Sequence, residues 1–188
     1  MLRYEIRFHG RGGQGVVTAA ELLAYAAILE GYYAQAFPEF GAERRGAPVR
    51  AYFRLDDSEP IVERYPITNP DMVVIFDESL LRQDPPPYND LKANGWLIIN
   101  TSRNIDEIRK PISDKRYRLA LINATDISMS ILKRPIVNTT ILGAVIKLFN
   151  IIKLESVEKA LLNRFSGNLA KLNIEAIKKG YESVVIDE

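Results

Sequence analysis

The sequence predicts a single α/β domain, residues 1–188, with a mixed, mostly parallel sheet flanked by helices and a helical C-terminal part. Three observations carry that expectation. The runs "MVVIF" (Met72 to Phe76), "WLIIN" (Trp96 to Asn100) and "YRLALI" (Tyr117 to Ile122) are continuously apolar, as strands covered on both faces are. The turn "GRGGQG" (Gly10 to Gly15) joins an alternating segment to an Ala- and Leu-rich one, a strand–turn–helix order. After Asn123 the apolar spacing turns helical.

Each element has its own signal. Tyr4, Ile6 and Phe8 alternate with Glu5 and Arg7, which predicts a first strand with one buried face. Val16 to Glu30 has helical composition, and Gly31 supplies its stop. "YYAQAF" (Tyr32 to Phe37) returns as a second strand. Pro38, Gly41, Gly46 and Pro48 then mark a loop. Val49, Ala51, Phe53 and Leu55 alternate with Arg50, Tyr52 and Arg54 in a third strand that ends at Asp56-Asp57. Asp84 to Pro87 is a rigid proline loop. Thr125 or Asp126 caps a helix through Leu132, and further helices follow Asn138 and Leu154. In the last one, Leu169, Leu172, Ala176, Ile177 and Tyr181 fall on one stripe.

Composition narrows the function. Hydrophobic residues make up 47% and charged residues 26%, which is globular rather than disordered. A net charge of +1 gives no field that would draw nucleic acid or a lipid surface. With no Cys and a single His, the chain lacks the usual ligands of an iron–sulfur cluster and of a multi-histidine metal site. The N-terminal residues have no apolar leader core and no apolar run reaches membrane-spanning length, so the expected location is cytoplasmic and the expected partners include no membrane.

The glycine turn admits three readings. Gly10, Gly12 and Gly15 satisfy the dinucleotide spacing G-x-G-x-x-G. Against a nicotinamide cofactor, the second strand ends in Ala36-Phe37-Pro38 without the acid that would hold the ribose, and Glu39 lies beyond the proline. A phosphate needs less: bare backbone amides at a helix N-terminus, with Arg11 and Gln14 beside them. Without a lysine the turn is not a P-loop. The third reading is a sharp turn and close packing, with no ligand.

"HGRGGQGVVTAAELLA" (from His9) followed by "QAFPEFGAERRGAPVRAYFR" (from Gln35) resembles the γ subunits of pyruvate:ferredoxin oxidoreductases, members of the 2-oxoacid:ferredoxin oxidoreductase family. "NPDMVVIFDESLL", "NATDIS", "PIVNTTILGA" and "NIEAIKKGYE" fit the same family in the same order, so the resemblance spans nearly the whole chain. It implies a non-redox γ-type subunit that helps bind and position coenzyme A while pyruvate is oxidatively decarboxylated to acetyl-coenzyme A. It implies thiamine diphosphate, magnesium and iron–sulfur clusters in partner subunits of α, β and δ type, with ferredoxin as the electron acceptor. Branched-chain 2-oxoacids remain open as substrates. A purely structural assembly subunit and a stand-alone nicotinamide enzyme remain the alternatives.

Under that resemblance Arg11, Gly12, Gly13, Gln14 and Gly15 are expected to meet a phosphate of coenzyme A, and Thr18 to add a hydroxyl. Glu39, Glu43, Arg44 and Arg45 concentrate charge in the next loop, where Arg44 is expected to pair with a phosphate or carboxylate and Glu39 and Glu43 to orient it. Asn138 and Thr139 open a helix, as caps or as ligand contacts. No catalytic residue and no metal ligand is expected in this chain. Asp77 and Glu78 read best as helix-start charges.

Overall fold

The structure, a computed structural model, describes residues 1–40, 46–112 and 116–187. The loop positions Gly41 to Arg45, among them Glu43 and Arg44, lie outside the described residues. One sheet runs through the chain in the order β2-β3-β1-β4-β5-β6-β7. Its strands are β1 (Arg3–Arg11), β2 (Tyr33–Phe40), β3 (Pro48–Asp56), β4 (Met72–Ile75), β5 (Trp96–Asn100), β6 (Arg118–Ile122) and β7 (Val185–Ile186). β1, β4, β5 and β6 run parallel through the centre, while β3 and β2 on one side and β7 on the other are antiparallel.

The helices are α1 (Val16–Leu29), α2 (Ile105–Arg109), α3 (Ala124–Leu132), α4 (Asn138–Phe149), α5 (Leu154–Arg164) and α6 (Gly167–Ser183). A short 3₁₀ turn covers Glu78–Arg82. Apolar side chains of α1, α4, α5 and α6 pack against Ile6, Phe8, Phe53, Val74, Ile98 and Ala120 on one face of the sheet. A smaller core on the opposite face joins Val73, Ile75, Leu97 and Ile99 to Leu80, Leu91 and Ile108. The central runs read from the sequence are therefore strands because helices or short turns close both of their faces.

β1 departs from expectation. It is not a half-wet strand, because it sits between β3 and β4 and both of its faces are covered: Arg7 is 8% exposed and His9 5%. Segments 57–70 and 84–91 lend carbonyls to that second face. Arg7 donates to Ile67 O and Pro87 O at 2.9 and 2.8 Å, and pairs with Asp90. Arg54, with no exposed surface, donates to Glu5 at 2.7 Å and Tyr65 O at 2.8 Å, and stacks over the Tyr65 ring at 4.8 Å. The polar half of the alternation is thus an internal charge network. Buried charges are tolerated when each has both a counter-ion and hydrogen bonds.

Other boundaries moved for local reasons. β2 runs through Pro38 to Phe40, since an edge strand tolerates a missing N–H. α3 is capped by Asn123, whose side chain accepts from Asp126 N, rather than by Thr125 or Asp126. In α6 the buried stripe is Ala170, Asn173, Ala176, Ile177 and Gly180, whereas Leu169 is 52% exposed. The rotation follows from close backbone packing. A Cβ built on Gly143 would lie 2.1 Å from Ile177 O, and one on Gly180 1.9 Å from Thr140 O. Only small residues allow α4 and α6 to approach so closely, so the larger residues turn away.

Two outcomes follow from this packing. Gly180→Ala should separate α4 from α6 and lower stability by about 1–3 kcal/mol, the usual cost of overpacking, as read by urea denaturation. The second concerns His9, whose Nε2 accepts from Arg7 Nε at 2.9 Å. Burial, with the Arg7 and Arg50 charges adding to it, pushes its pKa from 6.5 down to about 3. Between those values the unfolded chain binds the proton that the folded chain refuses, so stability falls as pH drops. The slope should approach about 1.4 kcal/mol per pH unit. His9→Gln should flatten that slope above about pH 4.5 in denaturation curves taken along a pH series; an unchanged slope would remove His9 as its cause.

Candidate functional site at the end of strand β1

The central strands end on one edge of the sheet, and their outgoing loops part there. The turn after β1 leads to α1 on one face; the turn after β4 leads to Leu80 and the smaller core on the other. Such a divergence is where open α/β sheets take ligands. The loops are pinned across the gap by Arg11. Its Nε donates to Asp77 Oδ2 at 2.9 Å, one terminal nitrogen to Gly46 O at 3.1 Å and the other to Ser79 Oγ at 2.8 Å. Burial alone would raise the Asp77 carboxyl, but Ser79 and the Arg11 guanidinium outweigh it and hold its pKa below the usual value. Asp77 also accepts from Ser79 N and so caps the 3₁₀ turn, in line with its reading as a helix-start charge.

The turn itself is shaped by steric necessity. A Cβ on Gly10 would lie 2.5 Å from Val16 Cγ2 and 3.0 Å from Phe76 Cβ. Gly15 adopts φ +78°, and a Cβ there would meet Asn138 Nδ2 at 2.5 Å. Gly13 is different: its φ is +96°, yet nothing stands within 4 Å of an added Cβ. Gly12 N donates to Ala47 O at 3.0 Å. Gln14 Oε1 accepts from Arg11 N at 2.8 Å, which leaves its amide nitrogen toward the cleft. Gly15 is the N-cap of α1 and supplies no side-chain cap, so the first-turn amides keep their donors.

Two cavities flank this turn. One of about 350 Å³ runs along the strand ends and is lined by Gln14, Asp77, Glu78, Asn100, Thr101 and Asp126 among others. The other, about 520 Å³, lies between the start of α1, the α3–α4 connection and the α5–α6 junction; Gly15, Thr18, Arg134, Asn138, Arg164 and Leu169 line it. The residues singled out in the sequence are thereby partly gathered and partly dispersed. Gly15, Thr18 and Asn138 share the second cavity, and Gln14 faces the first. Asn138 is 5% exposed, and its Oδ1 accepts from Thr139 N at 2.9 Å. Thr139 is fully buried and donates to Asn173 Oδ1 at 2.9 Å, inside the α4–α6 contact.

Glu39 stands apart from the turn. It lies on β2, with β3 between it and β1, about 10 Å away at ordinary strand spacing. There it pairs in register with Arg50 and accepts from the Tyr52 hydroxyl. Burial, then the Glu39 carboxylate, push the Tyr52 pKa up to about 12. Glu39 is therefore not on a strand next to β1, whose neighbours are β3 and β4, so it does not stand where a nicotinamide cofactor would need its ribose-binding acid. Sequence reasoning missed Arg134, in the α3–α4 connection, and Arg164, at the end of α5, since a lone arginine has no periodicity to mark it. Among the described residues no group of three or more His, Cys, Asp or Glu side chains could hold a metal ion, and no helix is long and apolar enough to cross a membrane.

A sheet whose loops part after β1 and β4, with a glycine turn leading into a helix that has no side-chain cap, defines an open α/β domain with a crevice at its strand ends. The family is settled by sequence comparison. The profile of the pyruvate ferredoxin/flavodoxin oxidoreductase family matches residues 5–183, and the chain belongs to that family, as a γ subunit of a 2-oxoacid:ferredoxin oxidoreductase. It is 51% identical over 184 residues to the pyruvate/ketoisovalerate oxidoreductases common subunit gamma of Thermococcus litoralis, covering 98% of each chain. The crystal structure of pyruvate oxidoreductase subunit PORC from Thermotoga maritima superposes with a TM-score of 0.89 at 38% identity and covers 100% of both chains. The fold also recurs, at TM-score 0.78 and 21% identity, in the 2-oxoglutarate:ferredoxin oxidoreductase of Magnetococcus marinus, whose structure carries 2-oxoglutarate, coenzyme A and succinyl-coenzyme A. That match covers 97% of this chain and 31% of the larger one.

Proposed function

We propose that this γ subunit, acting as one domain over residues 1–188, binds and positions coenzyme A in a complex that oxidises a 2-oxoacid, pyruvate first among candidates. One observation carries the reading: the N-terminus of α1 opens through an unobstructed Gly13 and an uncapped Gly15 beside the unpaired Asn138 Nδ2. Backbone amides at a helix start, with partial positive charge behind them, suit a phosphate. Gly13, Gln14, Gly15, Thr18 and Asn138 are the proposed contacts. Arg11 and Gly12 hold the turn in place through Asp77 and Ala47, and Thr139 and Glu39 act through their neighbours. Arg44, which lies outside the described residues, is proposed from the sequence alone to pair with a phosphate or carboxylate.

The likeness to a subunit named as common to pyruvate and ketoisovalerate oxidoreductases supports a role shared between 2-oxoacids. A coenzyme A site serves that better than a substrate pocket would, because the coenzyme is the same whichever acid is oxidised. The sequence contains no Cys, so iron–sulfur clusters, like thiamine diphosphate and magnesium, are assigned to partner subunits of α, β and δ type, with ferredoxin taking the electrons in the cytoplasm. This chain's share of catalysis is then proximity: it fixes the thiol carrier near an acyl group formed elsewhere.

Gly13→Val tests this in the assembled complex. A side chain there should keep a phosphate from the turn and cost a charge-assisted hydrogen bond, about 1.5–3 kcal/mol or roughly tenfold to a hundredfold in the KM for coenzyme A. Single-turnover decarboxylation of pyruvate, measured without coenzyme A, should change little. Because valine is strained at positive φ, melting and subunit composition are measured alongside. A variant that assembles, melts normally and uses coenzyme A as wild type does would reduce the turn to a structural corner.

A further inference from the structure

Two cationic groups of the glycine turn region have opposite fates. Arg11 is committed to Asp77, Ser79 and Gly46. Arg134, in the α3–α4 connection, is exposed, lines the 520 Å³ cavity and forms no hydrogen bond or ion pair with any described residue. Facing it is Asn138, nine-tenths buried, whose Nδ2 finds no acceptor among the described residues and stands beside the N-cap of the 14-residue α1. Arg164, on the same cavity, is already 3.4 Å from Glu21. Leu132, Ile136, Phe165 and Leu169 supply its apolar lining, with Ile136 36% and Leu169 52% exposed, beside the polar Thr18 and Asn173. The cavity therefore has a donor-rich end and an apolar trough.

Resting on the coenzyme A reading above, we propose that Arg134 is a specificity-determining residue that pairs with the 3′-phosphate, while Asn138 and the start of α1 hold the pyrophosphate. The charges divide that way. The pyrophosphate bears one negative charge on each phosphorus, which a helix terminus and a neutral amide can match. The 3′-phosphate is a monoester close to −2 at neutral pH, and a guanidinium that meets two oxygens at once suits it. The pantetheine arm, flexible and weakly polar, lies along Ile136 and Leu169.

The test compares coenzyme A with dephospho-coenzyme A, which lacks only the 3′-phosphate, in the purified complex. Arg134→Gln should raise the KM for coenzyme A about tenfold or more and leave that for dephospho-coenzyme A within about twofold, so the preference of the wild type collapses. Arg134→Lys, which keeps the charge and loses the fork, should fall between. If Arg134→Gln leaves the preference intact while Gly13→Val still raises both KM values, the coenzyme site stands and Arg134 is not its reader. If neither variant alters either KM, the coenzyme A reading fails first. If Arg134→Gln instead releases another subunit on size exclusion with both KM values unchanged, the trough is a docking surface, and the proposal is overturned.

Discussion

Everything at the working edge of this subunit depends on how abruptly β1 becomes α1. The chain passes from sheet to helix between Arg11 and Val16, beneath Asn138, and only glycine fits at Gly15, where both a positive φ and a contact at 2.5 Å exclude a side chain. The same restriction explains the exposed donors. A serine or aspartate cap would satisfy the first-turn amides from within and close the site, as caps ordinarily do. A glycine cap leaves them open. A structural reading and a ligand reading of the turn are thus consequences of one backbone geometry, and the spacing G-x-G-x-x-G cannot separate them. The ligand reading draws on the surroundings: parted loops, and the Asn138 amide nitrogen and Arg134, neither with a partner among the described residues.

The second constraint is the charge network beneath β1. Arg7 and Arg54 tie the irregular segments 57–70 and 84–91 to the sheet, Arg54 also pairing with Glu5 on the adjacent strand β1. Removing one member would leave its partner's charge buried, a cost of about 3–5 kcal/mol, so the network is held together or lost together. It also fixes β1 between β3 and β4, and therefore the place where the glycine turn emerges. The placement of the glycine turn is thus inherited from the opposite face of the sheet.

Legibility followed from whether a residue's role was local. β4, β5 and β6 were readable because continuous apolar runs have few alternatives, and Gly31 at φ +90° ended α1 where its sequence said it would. The alternation of β1 was read correctly as a strand and wrongly as half-wet, since period two reports which side chains share a face and not what covers that face. The stripe of α6 slipped because Gly143 and Gly180 decide the contact, and small residues weigh little in an apolar pattern. Glu39 looked like part of the loop because Pro38 precedes it, yet an edge strand carries the proline and places Glu39 opposite Arg50. The site was half visible: Gly15, Thr18 and Asn138, far apart in sequence, meet at one cavity. Arg134 was not, because what marks it is having no partner among the described residues, a property that exists only in three dimensions.

The position of the site also bears on why a redox complex would keep such a chain separate. On the coenzyme A reading proposed above, the coenzyme would enter after the acyl group has formed and leave as the thioester, so the chain that holds it would need a surface that is prearranged yet reachable. A helix terminus on a sheet edge meets both needs, because its donors are fixed by the backbone and cost no reorganisation when the anion arrives. The apolar trough with exposed Ile136 and Leu169 continues the same face outward. Electron transfer imposes the contrary demand, buried ligands around a cluster, which a chain without cysteine never has to meet. Dividing the two tasks between chains lets each fold satisfy one requirement without compromising the other.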